Sequence, residues 1–177
     1  MTVQPFFAFD PANIRRALKG ISDVILIAGP AGAGKTTIAA NIISGEIASP
    51  FTTKHLEAIS RTDCKSLPDK NFAPGGLVVE FAINRLHDPD FANYVISLID
   101  HIAQNANIQE AYVIELGRAE LIKRYISRMK PMHFVHLGKL KSLLGYMFSS
   151  DFSERTDIWH KIVQERGIPC RQIEAME

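Results

Sequence analysis

Apolar positions along the chain fall into two rhythms. Asp23 opens the unbroken run Val24-Ile25-Leu26-Ile27-Ala28, halted by Gly29. Such a run suits a central parallel strand covered on both faces. Beyond a glycine-rich turn, Ile38, Ala39, Ile42 and Ile43 share one helical face, with Gly45 as terminator. Upstream, Asp10 at an N-cap, Pro11 at the first helical position, Ile14, Leu18 and then Gly20 predict a short preliminary helix. Residues 45–76 carry five Pro and Gly breaks from Pro50 to Gly76; they predict an irregular segment with a strand near Phe51 to His55 and a short helix near Leu56 to Ile59.

Leu77 to Ile83 reads as the next strand. Asp88-Pro89 then opens a helix whose Phe91, Tyr94, Val95, Leu98, Ile99 and Ile102 step by three and four. Ala111 to Leu116 is a third strand, followed by a helix with Leu121, Ile122, Tyr125, Ile126 and Met129 on one face, ended by Lys130-Pro131. Met132 to Leu137 predicts a strand and Leu140 to Met147 a helix. Asp151 and Glu154 have capping-box spacing before Ile158, Ile162 and Val163, and Cys170 to Glu174 predicts a last strand. Strands alternating with helices imply a three-layer α/β/α sandwich on a mostly parallel sheet.

At 177 residues the chain suits one domain over 1–177, with 1–20 as a helical preamble. No apolar run approaches the roughly 18 residues of a membrane span. Acids and bases are interspersed and the formal charge is +1, so neither a membrane nor a nucleic acid is an expected partner. Nothing at the amino terminus reads as an export signal, and the cytoplasm is the expected compartment. Cys64 and Cys170 lack metal or redox spacing and read as reduced thiols.

The chemistry concentrates in Gly29-Pro30-Ala31-Gly32-Ala33-Gly34-Lys35-Thr36, followed by Thr37. This is the pattern G-x-x-x-x-G-K-[ST]. Its glycines let backbone N–H groups turn inward around phosphate oxygens, its lysine reaches the β and γ phosphates, and its threonine hydroxyl serves Mg²⁺ at the start of a helix. A strand before it and an amphipathic helix after it are the context the motif requires. The expected ligands are ATP or another nucleoside triphosphate, with Mg²⁺.

With the cradle and the stretch Tyr112-Val113-Ile114-Glu115-Leu116-Gly117-Arg118-Ala119-Glu120-Leu121-Ile122-Lys123-Arg124-Tyr125-Ile126-Ser127-Arg128, the chain resembles the nucleotide and small-molecule kinase branch of the P-loop NTPases, the adenylate-, shikimate- and gluconate-kinase-like enzymes. The resemblance implies a P-loop NTPase fold, transfer of a γ-phosphoryl group to a small-molecule acceptor, and Arg124 and Arg128 as cationic clamps on the transferring charge. A solvated cationic helix end is the bland reading of the same pair. No D-G-x-P-R, D-R-Y or E-R-S signature follows a strand, so the acceptor is unnamed. Gly75 to Phe81 with Arg85 is similar to bacterial P-loop proteins grouped near sulfotransferases, which usually lack the complete Gly-Lys-Thr. The other competing function is a slow NTPase switch, against which stand the missing D-x-x-G, N-K-x-D and L-S-G-G-Q motifs.

An acidic residue on an apolar strand beside the cradle would orient the metal. Glu80 and Glu115 both qualify, and Glu80 is preferred because in the kinase layout its strand neighbours the cradle strand. Polar residues near the carboxyl ends of strands supply acceptor contacts. Among Lys54, His55, Arg61, Asp63 and Lys65, and Asn84, Arg85, His87 and Asp88, the choice falls on Arg85 for binding and Asp63 as general base, each against the alternative of ordinary loop surface. His101, His133, His136 and His160 have no metal-ligand spacing.

Overall fold

The strand that carries the cradle is built to sit in the middle. The structure, a computed structural model, describes residues 11–49, 51, 56–60, 72–128, 145 and 153–174. β1 (Ile21–Gly29) is buried at every position but Ser22, as an uninterrupted apolar run requires. It pairs in parallel with β3 (Gly75–Ala82) on one side and β4 (Asn107–Glu115) on the other. β2 (Leu56–Ser60) lies outside β3 and β5 (Cys170–Glu174) outside β4, giving the all-parallel order β2-β3-β1-β4-β5.

Helices cover both faces. α2 (Lys35–Ser44) lays Ile38, Ala39 and Ile42 on Ile25, Ile27, Val78, Tyr112 and Ile114. The opposite face, with Val24, Leu26, Leu77, Val79, Phe81 and Val113, packs against α1 (Pro11–Ala17), α3 (Pro89–Asn105) and α5 (Glu154–Gln164). α3 buries the six apolar residues its spacing marks. Asp88 caps it, the carboxylate accepting from the amides of Asp90 and Phe91 at 3.1 and 3.4 Å. Each fully buried side chain of this size contributes about 1.5–3 kcal/mol, so an aspartate at Leu98 would reverse a main attachment of the helix. α5 contributes Trp159, fully buried with its ring 5.4 Å from that of Phe81. The expected α/β architecture is therefore the observed one.

Four local expectations shift. Leu56 to Ser60 is a strand rather than a short helix, because parallel pairing with Gly76 to Glu80 satisfies its backbone and overrides local propensity. Gly75 and Gly76, read as loop punctuation, begin β3 and pair with Ile21 and Asp23, while Ile83 leaves the strand to start a 3₁₀ turn over Ile83–Arg85. Ile43 is 40% exposed, at the margin of the face that Ile38, Ala39 and Ile42 bury. Ser153, without a side-chain cap bond, precedes α5 at Glu154. Asp10, Asp151, the strand expected at Met132 to Leu137 and the helix at Leu140 to Met147 (Gly145 apart) lie outside the described residues.

Candidate functional site

β1 runs out at Gly29, and the chain must turn before α2 can begin at Lys35. Gly32 and Gly34 take φ of +83° and +96°, the left-handed region that side chains disfavour. Gly29 is needed for a different reason: a Cβ there would stand 3.1 Å from the Ile114 Cβ and 3.4 Å from the Ile114 carbonyl oxygen on β4. Ala33 is fully buried beneath the turn and its N–H donates to the Pro30 carbonyl at 3.1 Å. The Lys35 ammonium donates to the carbonyls of Gly29 and Pro30 at 3.0 and 2.8 Å, so its charged tip rests over the start of the loop. Thr36 and Thr37 follow, both exposed, in the first turn of α2.

Glu80 pairs in register with Ile27 of β1 and is 5% exposed. Its Oε2 accepts from the Thr36 hydroxyl at 3.0 Å. Two hard oxygen donors thus stand together beside the loop, a set that fits Mg²⁺, which takes few protein ligands and keeps waters and phosphate oxygens for the rest. Among the described residues no group of three or more His, Cys, Asp or Glu could hold a metal by itself. Glu115 lies across β1 from Glu80. It is exposed, accepts from the Gln172 amide at 2.8 Å, and lines a cleft of about 430 Å³ with Pro30, Gly117, Thr156 and Asp157.

The Arg124 guanidinium, on α4 (Arg118–Arg128), comes to the cradle: Nη1 lies 3.7 Å from where a Cβ on Gly34 would stand. Its Nε donates to Glu120 Oε1 at 3.0 Å, one helical turn back, and its side chain is 12% exposed. That hydrogen bond holds the Glu120 carboxyl below the usual carboxylate range. Asp63 and the side chain of Arg128 lie outside the described residues.

Arg85 is turned elsewhere. It pairs with the Asp88 carboxylate, which it holds below its ordinary pKa, and lies 5.9 Å from the Phe91 ring centroid. The structure therefore engages Arg85 at the start of α3. Its neighbour Asn84 reaches the loop, accepting from the Ala31 N–H at 2.9 Å through Oδ1. His87 Nδ1 accepts from the Nε of Arg155, which is 2% exposed, tying the start of α5 to the segment after β3. No local pattern links positions 53 residues apart, and Arg155 reads in sequence like any helix-surface cation; Asn84 and Arg155 are the contributions that spacing does not reveal. His101 binds its own helix through the Ser97 carbonyl, and burial pushes the Cys170 thiol up. His133, His136 and Cys64 fall outside the described residues.

No model of a protein family and no curated protein sequence matches this chain. Among solved structures it is similar to polyphosphate kinase 2 from Arthrobacter aurescens TC1, with a TM-score of 0.50 and 11% identity over 92% of this chain and 68% of that one. At that identity the likeness is one of fold alone. It singles out no adenylate-, shikimate- or gluconate-kinase-like branch. No helix among the described residues is long and apolar enough to cross a membrane.

Proposed function

We propose that the chain binds a nucleoside triphosphate, ATP first among them, and transfers its γ-phosphoryl group to a small-molecule acceptor. The observation that carries this is the 3.0 Å hydrogen bond between Thr36 and the buried Glu80, since a complete phosphate loop is thereby joined to the acidic residue that such transfer needs. Thr36 and Glu80 would hold Mg²⁺, which neutralises charge developing on the β and γ oxygens when bound. Lys35 exchanges the Gly29 and Pro30 carbonyls for phosphate oxygens. Arg124, aligned by Glu120, brings a second fixed cation to the Gly34 side of the loop.

In this reading the acceptor oxygen attacks the γ phosphorus, the bond to the β–γ bridging oxygen breaks, and the nucleoside diphosphate leaves. Asp63 is the base proposed for the acceptor proton, Arg128 a further clamp and Arg85 an acceptor contact once released from Asp88.

The test is ADP release from ATP and Mg²⁺, alone and with nucleosides, nucleotides, sugars and small acids. Because the similar structure is a polyphosphate kinase, inorganic polyphosphate belongs among the acceptors, and in a separate arm as donor to ADP. Acceptor-dependent release that disappears in Lys35→Ala and Glu80→Gln is expected. Slow hydrolysis indifferent to every acceptor would replace the kinase reading with that of a switch, and turnover untouched by Lys35→Ala would remove both.

A further inference from the structure

The segment after β3 does more for the loop than pass beneath it. Ile83 and Leu86, each 2% exposed, anchor the turn in the core, and the Leu86 N–H closes it on the Ile83 carbonyl at 3.0 Å. Between them Asn84 is held toward Ala31, whose N–H it accepts at 2.9 Å. Because a backbone N–H must meet an acceptor, that contact fixes the amide's orientation: Oδ1 on the loop, and Nδ2 with its two donors at the other end. Neither donor meets a partner among the described residues.

Which part of a bound nucleotide lies there follows from the lysine. In this loop type the lysine serves the β and γ phosphates. The Lys35 tip rests on the carbonyls of Gly29 and Pro30, immediately before Ala31. Glu80, the partner of Thr36, lies four positions before Asn84 on the same strand and turn. Asn84 therefore stands at the terminal-phosphate end of the cradle, on the metal side.

We propose that Asn84 is a specificity-determining residue that reads the terminal phosphoryl group: Nδ2 donates to an oxygen present in a nucleoside triphosphate and absent from a diphosphate, while Oδ1 holds the loop in register through Ala31. The inference rests on the cradle reading above. It makes the loop a discriminator between substrate and spent nucleotide, helping the diphosphate to leave.

Calorimetric binding of ADP and of the non-hydrolysable β,γ-imido analogue of ATP, both with Mg²⁺, tests it on the whole chain. In Asn84→Asp an oxygen still accepts the Ala31 N–H but the donors are gone. Triphosphate affinity is expected to fall more than about tenfold, from the lost hydrogen bond to a charged group together with the repulsion of the added carboxylate, and ADP affinity by a clearly smaller factor. Asn84→Ala is expected to weaken both ligands and still lower the ratio of the two affinities. Parallel loss of both ligands in both variants would reduce Asn84 to a prop for the loop, and unchanged affinities would remove even that; either overturns the proposal. Should the wild-type chain bind neither ligand, or bind both regardless of Lys35→Ala, the cradle reading falls and takes this inference with it. Lys35-dependent binding that ignores Asn84 sinks this inference alone.

Discussion

Replacing Glu80 by glutamine separates what the residue does for the ligand from what it does for the fold. The carboxylate is 5% exposed and the Thr36 hydroxyl is its hydrogen-bond donor, at 3.0 Å. The carboxyl thus sits in the sheet with one neutral hydroxyl as its partner among the described residues, a costly setting for a charge. Glutamine keeps the shape and an oxygen for Thr36 while removing the charge. The relief expected from removing that charge is about 1–3 kcal/mol, the scale on which incompletely compensated burial is penalised. For a chain of this size that raises the unfolding midpoint by about 2–12 °C. Thermal unfolding in EDTA measures it, with Glu115→Gln, exposed and on the other flank of β1, as a control that should not move.

The ligand response should run the opposite way. Wild-type protein at about a hundred times Kd gains about 2.7 kcal/mol from a ligand that binds only the native state. The part of that gain that depends on Mg²⁺ should vanish in Glu80→Gln. A variant less stable than wild type in EDTA would mean that the carboxylate is an anchor for Thr36, and a retained Mg²⁺ increment would move the metal elsewhere; either result refutes the reasoning.

Other expectations are more local. Gly29→Ala, which forces a Cβ to within 3.1 Å of Ile114, should cost about 1–3 kcal/mol in urea unfolding by overpacking and weaken nucleotide binding as the loop shifts. Trp159→Ala removes a fully buried ring from against Phe81 and should cost about 3–5 kcal/mol in the same assay. The Glu120 carboxyl is held below its usual range by Arg124, so its contribution is present above the unfolded-state value and is lost as pH falls through the lower folded one. Unfolding midpoints followed from pH 6 down to 3, on either side of the carboxylate range, should decline less steeply in Glu120→Gln, and an unchanged slope would deny the coupling.

The centre of the molecule was legible because its signals are local. An apolar run, a glycine motif and a helix capped by Asp88 each declare themselves within a few residues, and β1, the glycine-rich turn before α2, and α3 formed where they were expected. β2 was not legible, since Leu56 to Ser60 becomes a strand only through pairing with β3. The preference for Glu80 rested on its strand lying beside the cradle strand, yet β3 and β4 both flank β1, and it is the contact with Thr36 that sets Glu80 apart from Glu115. Charge and position say nothing of rotamer, so the pairing of Arg85 with Asp88, three residues on, was not legible either. Asn84 carried no signal for its contact, which exists only when β1 and β3 are side by side.

The order of the sheet also sets the sequence in which the molecule comes apart. β1 is hydrogen-bonded along both flanks, whereas β2 and β5 are the outermost of the described strands and each is held by a single neighbour. Opening of a margin needs one ladder broken; exposing the amides that lead into the cradle needs two and the core between them. Amide exchange should therefore be slowest from Val24 to Ala28 and fastest along Leu56 to Ser60 and Cys170 to Glu174. The glycine loop would then share the lifetime of the folded state itself, leaving the margins of the sheet to breathe around a fixed centre.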